Sequence, residues 1–90
     1  DEAQRRVWFE DREVRLTVSE FELLLLFHRN ADRVLSRDRL ESVLARSART
    51  PGSNTLDVYV HRLRRKLDAR LIRTVHGIGY RYEPGATEAP

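Results

Sequence analysis

Four cations crowd into five positions, Arg62, Arg64, Arg65 and Lys66, with His61 just ahead of them. Such a cluster can meet phosphates or the acceptors on guanine, or it can simply be solvated, so its neighbours must decide. Advanced at about 100° per residue, residues 54–67 (NTLDVYVHRLRRKL) put Leu56, Val60, Leu63 and Leu67 on one side, with Tyr59 at its edge. That side is a core face. The opposite side collects Asn54, Val58, His61, Arg62 and Arg65, flanked by Thr55 and Asp57. A purely solvated face has little use for Val58. A helix in the major groove of duplex DNA does, because thymine presents a methyl group there and guanine presents acceptors onto which arginine can fork.

Other chemistries find little support. There is no cysteine, which removes disulfides, thiolate metal sites and cysteine nucleophiles, and fits a reducing compartment. His28 follows an apolar run with no acid–histidine pattern beside it, and a helix C-terminus readily accommodates histidine. Gly77-Ile78-Gly79 has the spacing of a nucleotide-loop fragment, but no helix follows to offer its N-terminus to a phosphate. With no nucleophile–base constellation and no paired acids, no enzyme, cofactor or metal site is expected.

The charge distribution agrees with a polyanion partner. Residues 1–53 hold ten Lys/Arg and ten Asp/Glu, whereas residues 54–82 hold seven Lys/Arg against two acids, so the net +3 arises in the last third. Ninety residues make one domain, expected over 1–83 and followed by a flexible tail, 84–90. The longest apolar run, residues 23–27, is far short of the ~20 residues a membrane span needs, and the N-terminus lacks a signal-peptide pattern. Cytoplasmic localisation is the expectation.

Several elements must hold the basic helix. Residues 5–9 and 13–16 alternate as two short strands around a polar turn at 10–12, with Trp8 either exposed or covering an edge, sheet packing being the favoured reading. Thr17-Val18-Ser19-Glu20 fits a capping box, and the apolar positions of residues 21–27 make the following helix a hub enclosed on several sides. Residues 30–32 read as a turn and 33–35 as an extended connection. Ser36 can cap a second helix at 37–45, with Leu40, Val43 and Leu44 on one face. Residues 50–53 (TPGS) then break the chain, and Ser53 or Asn54 supplies the next cap. Beyond it, residues 71–75 and 80–82 flank a glycine-bearing bend at 76–79, a hairpin.

Two helices joined by a turn, the second basic, followed by a glycine-bent hairpin, give an α+β winged helix-turn-helix: N-terminal antiparallel strands, a three-helix core and a C-terminal β-hairpin wing. Five segments narrow it further: residues 16–24 (LTVSEFELL), 34–37 (VLSR), 55–60 (TLDVYV), 63–67 (LRRKL) and 72–81 (IRTVHGIGYR). In order and spacing they resemble the C-terminal effector domain of OmpR/PhoB-family response regulators, over about residues 5–83.

The resemblance implies sequence-specific binding of double-stranded DNA as the output domain of a two-component phosphorelay regulator of transcription. Residues 54–67 would be the recognition helix in the major groove, and 76–79 the wing tip near the minor groove or backbone. It further implies a receiver domain in the full-length protein, direct-repeat half-sites bound by a head-to-tail homodimer, and contact with RNA polymerase through loop 46–53. Relative to the common pattern, Asn54 stands where many members have Arg, Tyr59 where His is frequent, and His76 where Arg is frequent; Leu44 replaces a common tryptophan.

The expected DNA-contacting set is Asn54, Thr55, Val58, Tyr59, His61, Arg62, Arg65, Lys66, Thr74, His76 and Tyr80. Arg62 suits guanine, and Arg65 a base or a phosphate. Lys66 lies at the border of the face, as a phosphate contact or a solvated group. Arg64 lies toward Asp57, where an internal ion pair competes with a phosphate contact. Thr74, Arg73 and Tyr80 either support the wing or meet phosphates. The competing reading is a winged-helix module that docks its basic helix on an acidic protein partner.

Overall fold

The computed structural model describes residues 4–47 and 55–87. In chain order they form β1 (Gln4–Phe9), β2 (Arg12–Thr17), α1 (Val18–Arg29), β3 (Val34–Ser36), α2 (Arg37–Ser47) and α3 (Thr55–Lys66). A 3₁₀ turn (Ala69–Leu71), β4 (Ile72–Val75), β5 (Gly79–Tyr82) and a second 3₁₀ turn (Pro84–Thr87) complete them. The expected linker and loop residues 48–53, Asn54 with either proposed cap, and 88–90 lie outside the described residues.

The first hairpin is tighter than the sequence suggested. Arg12 joins β2, leaving Glu10 and Asp11 as a two-residue turn, both at positive φ (49° and 66°). That is the twist a two-residue connection requires between right-handed strands. β1 pairs antiparallel with β2, with Val7 opposite Val14 and Trp8 opposite Glu13. Val14 and Leu16 face the core, so Trp8 falls on the outer face and is 74% exposed. Of the two readings of Trp8, the favoured one, packing on the sheet, is corrected in favour of the exposed one: a two-stranded sheet has one covered face, and the register gives that face to valine and leucine.

α1 starts where its capping box places it. Glu20 N–H donates to Thr17 Oγ1 (3.2 Å), and Thr17 N–H donates to Glu20 Oε1 (2.9 Å). Leu23 and Phe27 are fully buried and meet Leu16, Leu40, Leu56, Val60 and Leu63 in one cluster, with Phe21, Leu24 and Leu26 half-buried around it. Ser36 caps α2 by accepting from Arg39 N–H (3.2 Å).

Residues 33–35 are read from sequence as an extended connection; the structure has a strand, β3, over Val34–Ser36. β3 pairs with β5 and β5 with β4, giving a three-stranded sheet in the order β3-β5-β4. Three residues carry too little alternation to announce a strand; the partner, more than forty positions later, defines it. Gly79 explains how tightly that sheet closes. A Cβ there would lie 2.0 Å from the Leu35 carbonyl oxygen, so no other residue fits without moving the strand. Residues 84–87 wind into a 3₁₀ turn, and Glu83 N–H donates to the Leu71 carbonyl (2.6 Å) just before it.

Candidate nucleic-acid interface

Four sets of residues divide the circumference of α3, each with a different neighbour. Leu56, Val60, Leu63 and Leu67 recur at the spacing of one helical stripe and are all buried, so they fix the helix to the core. Opposite them, Val58, His61, Arg62 and Arg65 form an i, i+3, i+4, i+7 stripe, and all four are exposed. Val58 is 42% accessible, an apolar side chain held in water among cations. Among the described residues, no hydrogen bond or ion pair engages the side chains of His61, Arg62 or Arg65. The Arg62 guanidinium lies 5.3 Å from the centre of the half-buried Tyr59 ring, which supports it from beside the stripe.

The two edges between these stripes are occupied by the fold itself. On one, Asp57 and Arg64 are seven residues apart and so share a side of the helix. Tyr80 donates its hydroxyl proton to Asp57 Oδ1 (2.5 Å), and Arg37, the first residue of α2, donates to the same oxygen (2.9 Å). Arg64 does not pair with Asp57, the internal partner anticipated for it. Its Nε and Nη2 donate to the Ile72 carbonyl (2.9 and 2.6 Å), Nη2 also reaches Thr74 Oγ1 (2.9 Å), and its guanidinium lies 5.7 Å from the Tyr80 ring centre. Arg64 thus ties the helix to β4.

On the other edge, Lys66 Nζ contacts the buried Glu20 carboxylate (2.5 Å) and donates to the Arg15 carbonyl (3.2 Å). Arg12 Nη2 then donates to the carbonyls of Lys66 (2.7 Å) and Leu67 (3.2 Å), capping the C-terminal end of α3 from β2. Sequence reasoning did not foresee that clamp. Arg12 and Lys66 are 54 positions apart, and no local pattern links them.

These partners also set the electrostatics of the wing edge. The Arg37 guanidinium, followed by the Tyr80 hydroxyl, holds the Asp57 carboxyl below the usual carboxylate range. Burial, reinforced by the Asp57 charge, pushes the Tyr80 phenol up. Both stay in the forms that make their hydrogen bond at neutral pH.

Between β4 and β5, His76, Gly77 and Ile78 are exposed at the tip of the wing, with Gly77 at φ 79°. Ile78 is 54% exposed, an apolar side chain the sequence reading did not single out. Its carbonyl accepts from Arg37 N–H (3.1 Å), which pins the tip to the start of α2.

The structure therefore brings Val58, His61, Arg62 and Arg65 onto one outer face and His76 onto the wing tip, with Tyr59 beside Arg62. Lys66, Thr74 and Tyr80 face protein partners: Lys66 is engaged with Glu20, Thr74 accepts from Arg64, and Tyr80 is 7% accessible. Asn54 and the Thr55 side chain lie outside the described residues. Nor is there, among the described residues, a group of His, Asp or Glu able to hold a metal ion, or a helix long and apolar enough to cross a membrane.

Residues 11–82 match the model of the family described as transcriptional regulatory protein, C terminal. The chain is 46% identical over 80 residues to the transcriptional regulatory protein QseB of Haemophilus influenzae, a match covering 89% of this chain and 36% of that protein. Its structure resembles the Klebsiella pneumoniae RstA DNA-binding domain, solved in complex with the RstA box, with a TM-score of 0.74, 29% identity and coverage of 89% and 84%. It also resembles DrrB, an OmpR/PhoB homologue from Thermotoga maritima, with a TM-score of 0.72, 28% identity and coverage of 87% and 37%. With four-fifths of its length inside the family model and the winged helix-turn-helix in place, this chain belongs to the C-terminal domain family of OmpR/PhoB-type response regulators.

Proposed function

We propose that this domain binds double-stranded DNA sequence-specifically, as the output domain of a two-component transcriptional regulator, with α3 in the major groove and the wing near the minor groove or backbone. The observation that carries this reading is the outer stripe of α3. It pairs an exposed valine with two arginines that make no hydrogen bond or ion pair among the described residues, while the neighbouring Arg64 and Lys66 are tied into the fold. A protein partner of acidic character would use the cations but would not require an apolar residue at their centre; a thymine methyl beside a guanine uses both. RstA, the relative solved with its DNA box, supports the same reading.

In this assignment Arg62 forks onto a guanine, Val58 meets a methyl group, and His61 and Arg65 reach bases or phosphates. Asn54 and Thr55 contact the backbone at the helix start, and His76 reaches the duplex from the wing. Lys66, Thr74 and Tyr80 act from behind, by holding α3 and the wing. The chain spans 36% of the length of QseB, so the receiver domain of a full-length regulator would occupy other parts of such a protein. Direct-repeat half-sites, a homodimer on DNA and contact with RNA polymerase through 46–53 belong to the same proposal.

The test is selection of bound duplexes from a random pool, followed by titration of the winning sequence against salt. Enrichment of a defined motif is expected, with a log–log salt slope near −4.5 if about five phosphates are neutralised. A flat salt dependence with no enriched motif would favour the protein-partner reading.

A further inference from the structure

The base of the wing is held by the pairing of β5 with β3 and by Ile72 and the Tyr80 ring in the core, and two polar contacts join the wing directly to one edge of α3. Tyr80 O–H meets Asp57 near the start of α3, and Arg64 meets the Ile72 carbonyl and Thr74 two turns later. At 1.5 Å per residue the ties stand roughly 10 Å apart along the helix. Two separated, directional contacts resist rotation in a way that one cannot. Arg37 completes the junction, its side chain on Asp57 and its backbone N–H on the Ile78 carbonyl at the wing tip.

Magnitudes suggest what this junction is for. The Asp57 side chain is 50% exposed and that of Arg37 41%, so their ion pair is screened and adds little stability. The junction does, however, join the three elements that carry the outer stripe of α3, the start of α2 and the wing tip.

We propose that Tyr80, through Asp57, is a positioning residue that couples the wing to the recognition helix, so that both engage one duplex as a unit of fixed spacing. This rests on the DNA-binding reading above. Tyr80 touches no DNA in this scheme; it determines whether the wing's contact is available at the same time as the helix's.

The experiment compares two duplexes, the selected site at full length and the same site truncated so that the base pairs reached by the wing are missing. Tyr80→Phe keeps the buried ring and removes only the hydroxyl. It is expected to weaken binding to the full duplex by about two- to tenfold, the worth of one hydrogen bond, and to leave the truncated duplex unaffected. Asp57→Asn, which retains an acceptor for the hydroxyl but loses the charge, should fall between Tyr80→Phe and the unmodified domain on the full duplex. Arg62→Ala should weaken both duplexes equally. Melting curves recorded alongside confirm that each variant is folded at the assay temperature.

Equal loss by Tyr80→Phe on both duplexes, or no loss on either, would overturn the coupling while leaving the DNA-binding reading intact. Failure of the unmodified domain to bind any selected duplex would overturn that reading and this inference together.

Discussion

Arg62 and Arg65 on one hand, and Arg64 and Lys66 on the other, lie within five residues of one helix, yet they belong to different parts of the molecule. The first pair projects from the outer stripe with no hydrogen bond or ion pair among the described residues. The second pair reaches sideways, Arg64 into the wing sheet and Lys66 into the capping box of α1. The difference arises from angle. At about 100° per residue, positions 62 and 65 fall within one narrow sector opposite the core, while 64 and 66 fall on opposite edges where neighbouring elements are packed. A basic run is therefore not a uniform basic patch: its members divide into those whose side chains face outward and those that hold the helix in place.

Replacing an edge cation should damage folding, and replacing an outer one should damage binding. The largest effect is expected for Lys66→Met, which leaves the Glu20 carboxylate, 1% accessible, without its cation. Because the Lys66 side chain is itself 36% exposed, the cost falls short of that for a fully buried pair and is about 2 kcal/mol, enough to lower the melting temperature of a domain this small by roughly 8 °C or more. A melt unchanged from the parent would mean that Glu20 is satisfied by its capping-box contacts alone.

Arg62→Ala comes next. Affinity for the selected duplex should fall by roughly 1–3 kcal/mol, with base preference relaxed at one position and the melting temperature unchanged. Arg65→Ala should act more gently and less selectively if it meets a phosphate: affinity falls on every sequence, and the salt slope becomes shallower by about 1. A change of sequence preference in that variant would assign Arg65 to a base instead.

The smallest effect is on the acid limb of stability. Because Asp57 titrates below its unfolded value, its contribution is present above the ordinary carboxylate range, near ~3.9, and is lost as pH falls through its folded value. The stability gap between the parent and Asp57→Asn should therefore be constant near neutrality and close in acid. Asp68, held at about 2 by Arg70, titrates in the same region but cancels in that difference. A gap that persists to the lowest pH would remove the charge of Asp57 from the wing junction.

Much of this arrangement was legible in the chain because it is local. The capping box, the core stripe of α3, its outer stripe and the glycine bend each depend on residues within a few positions of one another, and all stand where periodicity puts them. The features that escaped are those completed by a distant partner. β3 becomes a strand through β5, Arg12 finds its acceptors at the end of α3, and Arg64 reaches Ile72 across the wing edge instead of Asp57 on its own helix. Trp8 misled for a related reason. Tryptophan favours burial in general, but the register of a two-stranded hairpin allots its single covered face to other side chains.

The division of the basic run into reading and holding residues is tested most directly by the ratio of affinities of Arg62→Ala for the selected duplex and for an unrelated one, measured at a temperature where parent and variant are equally folded. The account predicts that this ratio falls about tenfold or more toward unity while affinity for the unrelated duplex changes little. Parallel loss on both duplexes, with the ratio preserved, would contradict it and return Arg62 to the general positive charge of the domain.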